Sequence, residues 1–258
     1  MPTKRELYGY LDSIMPKTLS CEWDNDGFMC CPDPDTEVKR ILFALDATAE
    51  TVDYAIANGF DTIITHHPFI FNAQFKSFTT DDVLARKIIK AGKANVTVMS
   101  FHTRLDTVAG GVNDALADTL CLTEVVPFSA FGLDMGRVGL LPHEISADEL
   151  AHYIKEKLGS QFVNYNGRNE KIKKLAVLGG AGKEGFVHEA EKTGAQACLT
   201  GELGNTPLTN PDDYSINCYE AGHYFTEFPV LKKLEQTINA KFPGITFEIY
   251  TSHSAKSV

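Results

Sequence analysis

Apolar residues follow two rhythms along the chain. Short apolar runs of strand length recur at Arg40–Asp46 (RILFALD), Phe60–Thr65 (FDTIIT) and Val96–Phe101. Between them, apolar positions fall three or four apart, the spacing of a helix with one buried face. That spacing predicts helices over Lys4–Met15, Thr48–Asn58 (apolar Val52, Ala55 and Ile56) and Asp81–Ala91. Pro16 stops the first, and Gly59 and Gly92 follow the other two. The rhythm restarts near Gly139. Ser146 and Glu149 stand at capping-box spacing before a helix that ends at Gly159. Strands are expected at Lys174–Gly179, Ala197–Thr200, Ser215–Tyr219 and Ile245–Tyr250, with a helix reaching Thr193 and one long helix over Gly222–Asn239. Strands alternating with helices at this pitch predict βαβ units and an α/β fold with a largely parallel sheet.

The two halves look related. Ala57–Thr65 aligns with Lys192–Thr200; each ends in Thr before a polar turn. The third strand of each half then leads into a His followed by a carboxylate four residues on, His102/Asp106 and His223/Glu227. We therefore expect two similar α/β lobes, residues 1–130 and 131–258.

Lys and Arg number 24 against 34 Asp and Glu, a formal charge of −10. An acidic chain argues against general nucleic-acid binding, which needs a basic stripe. No apolar run reaches the roughly 18 residues of a membrane span, and the polar N-terminal residues do not read as a secretory signal. Six scattered cysteines without a CxxC pair fit reduced thiols in a cytoplasmic protein; Cys198 and Cys218 read as core.

Candidate chemistry gathers at the strand ends. His66 and His67 stand where an apolar strand stops, and Pro68 forces the chain to turn. Ligands of open α/β sheets collect outside the carboxyl ends of strands. In extended backbone, adjacent imidazoles point opposite ways, which suits two metals better than one; a solvated loop pair is the plain alternative. His223 and Glu227, if helical, share a face and can grip a cation together. Of eight histidines, His66, His67, His102 and His223 have such settings. His143, His152, His188 and His253 read as surface residues. Mixed imidazole and carboxylate donors suit Zn, Fe, Mn, Ni or Co rather than Ca. Asp46, at the first strand end, is placed to orient a metal-bound His. Asp24 and Asn25, beside the single Trp23, are placed to brace a neighbouring loop, and Glu202 to face the same region. The glycine-rich segment Gly179–Gly185 fits neither GxGxxG nor a P-loop and reads as a tight strand-to-helix turn.

Five segments occur in order: Glu22–Gly27 (EWDNDG), Thr65–Phe71 (THHPFIF), His102–Asp106 (HTRLD), Thr200–Glu202 (TGE) and Gly222–Glu227 (GHYFTE). Together they resemble the GTP cyclohydrolase I type 2 homologues, the Ngg-interacting-factor-three-like family. The resemblance implies two lobes packed around a central cleft that holds two divalent metal ions. Carried over, it assigns His66, His67, Asp106, His223 and Glu227 as metal ligands, with Glu227 bridging. It makes His102 a supporting group or proton shuttle, the candidate catalytic residue. It also implies a homo-oligomer, a hexameric toroid. After TGE, where family members often carry a His, this chain has Leu203–Pro207. Two functions fit. One is a metal-dependent hydrolase, GTP cyclohydrolase-like or a phosphoesterase, acting on a small molecule such as a nucleotide. The other is a non-catalytic metal-binding interaction protein or metal chaperone.

Overall fold

The computed structural model describes residues 1–71, 78–167 and 170–251. In chain order the elements are α1 (Lys4–Ile14), β1 (Gly27–Cys30), β2 (Arg40–Ala44), α2 (Ala49–Ala57), β3 (Thr62–Thr65), α3 (Val83–Lys93), β4 (Thr97–Ser100) and α4 (Thr103–Thr107). They continue with α5 (Val112–Thr119), β5 (Thr123–Ala130), β6 (Leu133–Ile145), α6 (Ala147–Leu158), β7 (Asn164–Tyr165), β8 (Ile172–Leu178) and α7 (Lys183–Lys192). The last are β9 (Ala197–Thr200), α8 (Asn205–Thr209), β10 (Asn217–Glu220), α9 (His223–Glu227), α10 (Pro229–Lys241) and β11 (Thr246–Ile249).

The chain divides into two compact units. Among the described residues, those from Met1 to Leu105 with those from Leu231 to Thr251 form one, and those from Asp106 to Val230 form the other. A boundary after residue 130 falls instead in the turn of the β5–β6 hairpin, whose two strands pair antiparallel.

The first unit carries a five-stranded sheet in the order β1-β4-β3-β2-β11. Its β4, β3, β2 and β11 run parallel, and β1 is antiparallel at the edge. β3 is buried along its whole length, which is why Ile63 and Ile64 stand side by side there rather than alternating with exposed polar residues. Leu42, Ile63 and Val98 pack with Val52 and Ala55 of α2 in its core. The Thr48 hydroxyl and the Asp82 carboxylate cap α2 and α3 by accepting from backbone amides, so both helices start one or two residues later than apolar spacing alone predicts.

The second unit carries six strands in the order β5-β6-β8-β9-β10-β7. Only β8, β9 and β10 are parallel; the sheet is mixed. The Ser146–Glu149 capping box forms, and Gly159 ends α6 in the left-handed conformation. The long helix expected over Gly222–Asn239 is two helices. Pro229 has no amide hydrogen to donate back one turn, so α9 ends at Glu227 and α10 begins at Pro229.

The two sheets repeat one register. Neighbours align as Ala44–Thr65–Ser100 in the first and Leu178–Thr200–Glu220 in the second. Asp61 Oδ2 accepts from the amides of Lys39 and Arg40 at 2.8 and 3.0 Å. Gln196 Oε1 accepts from the equivalent Lys173 and Lys174 at 2.9 and 3.0 Å. Both frames thus deliver their functional side chains just past matched strand ends. Among the described residues no helix is long and apolar enough to cross a membrane.

Candidate metal centre

In the first unit, β3 ends at Thr65 and the chain bends through His66 and His67, where the His67 amide donates to the Leu45 carbonyl at 2.9 Å. The bend overturns the expectation of opposed imidazoles. The two rings lie 4.9 Å apart, and His102, just beyond β4, stands 5.3 Å from His66 and 5.8 Å from His67. One ligand atom from each of the three lies within 4.8 Å of the others.

Each ring is oriented through Nδ1. The fully buried His66 directs Nδ1 at the Phe101 carbonyl, 3.0 Å away. A carbonyl only accepts, so the proton sits on Nδ1 and Nε2 carries the ring's lone pair. His67 Nδ1 meets Asp46 Oδ1 at 3.0 Å, and His102 Nδ1 meets Asp24 Oδ1 at 2.9 Å. This is the bracing that metal-binding imidazoles use to fix ring orientation and tautomer.

The EWDNDG loop holds that bracing in place. Asp24 also accepts from the Thr103 amide and hydroxyl at 3.0 and 2.6 Å. Burial pushes its carboxyl up, yet the hydrogen bonds from His102 and Thr103 outweigh this and hold it well below the usual carboxylate range. Asp26 takes a two-pronged grip from the fully buried Arg104, at 3.0 and 2.8 Å, and accepts from the His102 amide at 3.1 Å. Burial raises the Asp26 pKa, and the Arg104 and Lys17 hydrogen bonds more than reverse it.

In the second unit, α9 puts His223 and Glu227 on one face, with His223 Nε2 and Glu227 Oε1 3.0 Å apart. His223 Nδ1 meets Glu202 Oε1 at 2.8 Å, repeating the Nδ1 bracing. Donor atoms at such a spacing can both touch one cation at about 2.1 Å. The backbone makes room for them. Gly180 has φ +70°, and a Cβ there would lie 2.3 Å from Glu227 Oε1 and 3.2 Å from His223 Nε2. The glycine-rich turn is therefore tight because it passes under these two side chains. Thr226 Oγ1 accepts from the Gly180 amide at 3.1 Å, and Thr200 Oγ1 accepts from the Gly182 amide at 3.1 Å.

Asp106 stands in α4, four residues after His102. Its carbonyl accepts from Asn113 Nδ2 at 3.0 Å, and Asn113 Oδ1 accepts from the Gly179 amide at 2.7 Å. Asn113 and Thr226 are positioning residues with no signal in the sequence; an Asn in a first helical turn and a Thr within a helix are too common. Arg104 also lacked one, because an Arg near a strand end is ordinarily solvated. His143, His152 and His188 are exposed, and Cys198 and Cys218 are fully buried, as expected. His253 lies outside the described residues.

A two-sheet α/β protein with histidine–carboxylate groups able to hold a metal is the class these features define. The chain belongs to the Duf34/NIF3 (NGG1p interacting factor 3) family, whose model matches residues 2–257. It is 32% identical over 256 residues to a GTP cyclohydrolase 1 type 2 homolog of Clostridium perfringens, covering 97% of this chain and 96% of that one. A Schizosaccharomyces pombe protein named NIF3 homolog is 30% identical, covering 88% and 85%. Among solved structures, a Staphylococcus aureus hypothetical protein matches with TM-score 0.90 at 25% identity over the full length of both chains.

Proposed function

We propose that this protein is a dinuclear-metal-dependent hydrolase, acting on a nucleotide or other small molecule. His66, His67, Asp106, His223 and Glu227 are its ligands in this reading, and Glu227 is the bridging carboxylate. The carrying observation is that all four histidines of these motifs have Nδ1 directed at an acceptor, namely the Phe101 carbonyl, Asp46, Asp24 and Glu202. The exposed His152 and His188 also direct Nδ1 at an acceptor, so the bracing counts here because it falls on gathered donors: His66, His67 and His102 each offer a ligand atom within 4.8 Å of the others, and His223 Nε2 lies 3.0 Å from Glu227 Oε1.

Divalent cations bound there would supply a water deprotonated near neutral pH and Lewis-acid polarisation of the substrate. The protein's own part is positional and protonic. Phe101, Asp46 and Glu202 hold three rings with Nε2 presented. His102 moves the proton, and Asp24 keeps its ring in one tautomer. A homo-oligomer, hexameric by family resemblance, is the assembly we expect.

The test is to load purified protein with Mn, Fe or Zn and to screen GTP, nucleotide phosphoesters and cyclic amides. Turnover that depends on metal and falls in His102→Ala supports the reading. Tight metal binding with no turnover in any metal form would refute it and favour a metal-binding partner role.

A further inference from the structure

Trp23 is the only tryptophan of the chain, and it is 61% exposed. Phe71 is 44% exposed. Large apolar rings shown to water beside a group of functional side chains mark a binding surface more often than a packing accident. These two do not stand apart. The Trp23 and Phe71 rings are 6.2 Å apart and nearly perpendicular at 83°. His102 lies 6.0 Å from Trp23 at 73° and 6.3 Å from Phe71 at 79°. The three rings make an open corner with His102 as one wall.

The corner is held rigid from behind. Asn25 Nδ2 donates to the Ile70 carbonyl at 2.8 Å, tying the Trp23 loop to the residue before Phe71. The Asp24 amide donates to the Cys21 carbonyl at 3.0 Å, and the Cys21 amide donates to Thr103 Oγ1 at 2.9 Å. Trp23 is thus displayed by a turn whose neighbours on both sides are anchored to the His102 segment. A preset aromatic face loses little entropy when a flat ring lies on it. Such stacking is indifferent to the identity of the base, because every base has a π-face.

We propose that Trp23 and Phe71 form the seat for a flat heteroaromatic ring of the substrate, a nucleobase, with its edge turned towards His102. This rests on the reading of His102 as part of the reaction centre, and it narrows the substrate class of that centre. A pentose or a polyphosphate alone has no aromatic face to offer the indole, so neither should occupy the corner.

The lone tryptophan is the reporter. Metal-stripped protein is titrated with guanosine, adenosine and cytidine, and separately with ribose 5-phosphate and tripolyphosphate, following Trp23 fluorescence. Saturable quenching by nucleosides, and none by the other two, is expected. By equilibrium dialysis, Trp23→Ala should weaken nucleoside binding roughly 5- to 150-fold, the loss typical of removing a stacking aromatic, while Trp23→Phe keeps most of it. An unchanged melting curve for Trp23→Ala shows that the loss is local. Absence of quenching by every nucleoside, equal affinity in Trp23→Ala, or quenching by ribose 5-phosphate would each overturn the proposal. Metal content is read separately. Nucleoside quenching in a protein that neither binds metal nor turns over would sink the hydrolase reading and leave the ring seat standing.

Discussion

Arg104 offers the sharpest energetic test of how the EWDNDG loop is held. Its guanidinium is fully buried and makes two hydrogen bonds to Asp26, at 3.0 and 2.8 Å, one to Asp12 at 2.6 Å and one to the Met15 carbonyl at 3.0 Å. It also lies over the Phe101 ring, 5.1 Å from its centroid. Arg104→Met keeps the aliphatic bulk and removes the charge, leaving the buried Asp26 carboxylate with Lys17 and Ser20 as its remaining side-chain partners. Breaking a buried pair from one side costs about 3–5 kcal/mol. At about 2–4 °C per kcal/mol for a chain of this size, the melting point should fall roughly 6–20 °C. Urea unfolding followed by Trp23 emission reads the first unit directly. Arg104→Lys restores the charge without the fork and should recover only part of the loss. Combining Arg104→Met with Asp26→Asn should show coupling of roughly 1–3 kcal/mol. A loss below about 1 kcal/mol in the single variant, or additivity in the double, would refute the view that this pair anchors the loop.

Asp26 also sets a pH dependence. Its folded pKa is depressed, so its stabilisation is complete above the ordinary carboxylate value of 3.8 and is lost as pH falls through the folded value. Asp26→Asn should therefore flatten the fall in stability below about pH 4, measured by urea midpoints; an unchanged slope would contradict the shift. Glu227→Gln should reduce metal occupancy at both positions, and full occupancy by elemental analysis would contradict a bridging role. Glu202→Ala, which removes the acceptor 2.8 Å from His223 Nδ1, should cost about 10- to 100-fold in metal affinity, read by competition with a chelating dye. Gly180→Ala should cost at least about 1 kcal/mol and lower metal content together, because its Cβ meets Glu227 at a positive φ. His188→Ala should leave metal content unchanged, and a loss there would mean the ligand set is wrong.

The parallel strands and their helices were legible because buried parallel strands are continuous apolar runs and helices carry caps. The hairpin β5–β6 was not. Thr123–Ala130 is largely exposed, and its stretch holds Pro127 and two acidic or hydroxylic residues at its start, so no apolar run marks it. The break before Pro229 was written in the sequence and passed over by a spacing that suits helix on both sides. At the candidate centre, the His and carboxylate spacings were informative because i, i+4 geometry is local. Asp46 and Glu202 were found by their places at strand ends. Asn113 and Thr226 act through contacts tens of residues away, with Gly179 66 positions from Asn113 and Gly180 46 from Thr226, which no local pattern encodes.

The shared register has a consequence for symmetry. Thr65 and Thr200 are equivalent, so His66 corresponds to Gly201 and His67 to Glu202. Position 201 has no room for a side chain, since a Cβ would lie 2.6 Å from the Gly180 carbonyl oxygen and 2.7 Å from the His223 Cα. The second half therefore cannot host a copy of the buried imidazole of the first. Its imidazole, His223, stands instead at the start of the helix after the third strand. The same scaffold thus carries three gathered imidazoles in one unit and a single His223–Glu227 pair in the other.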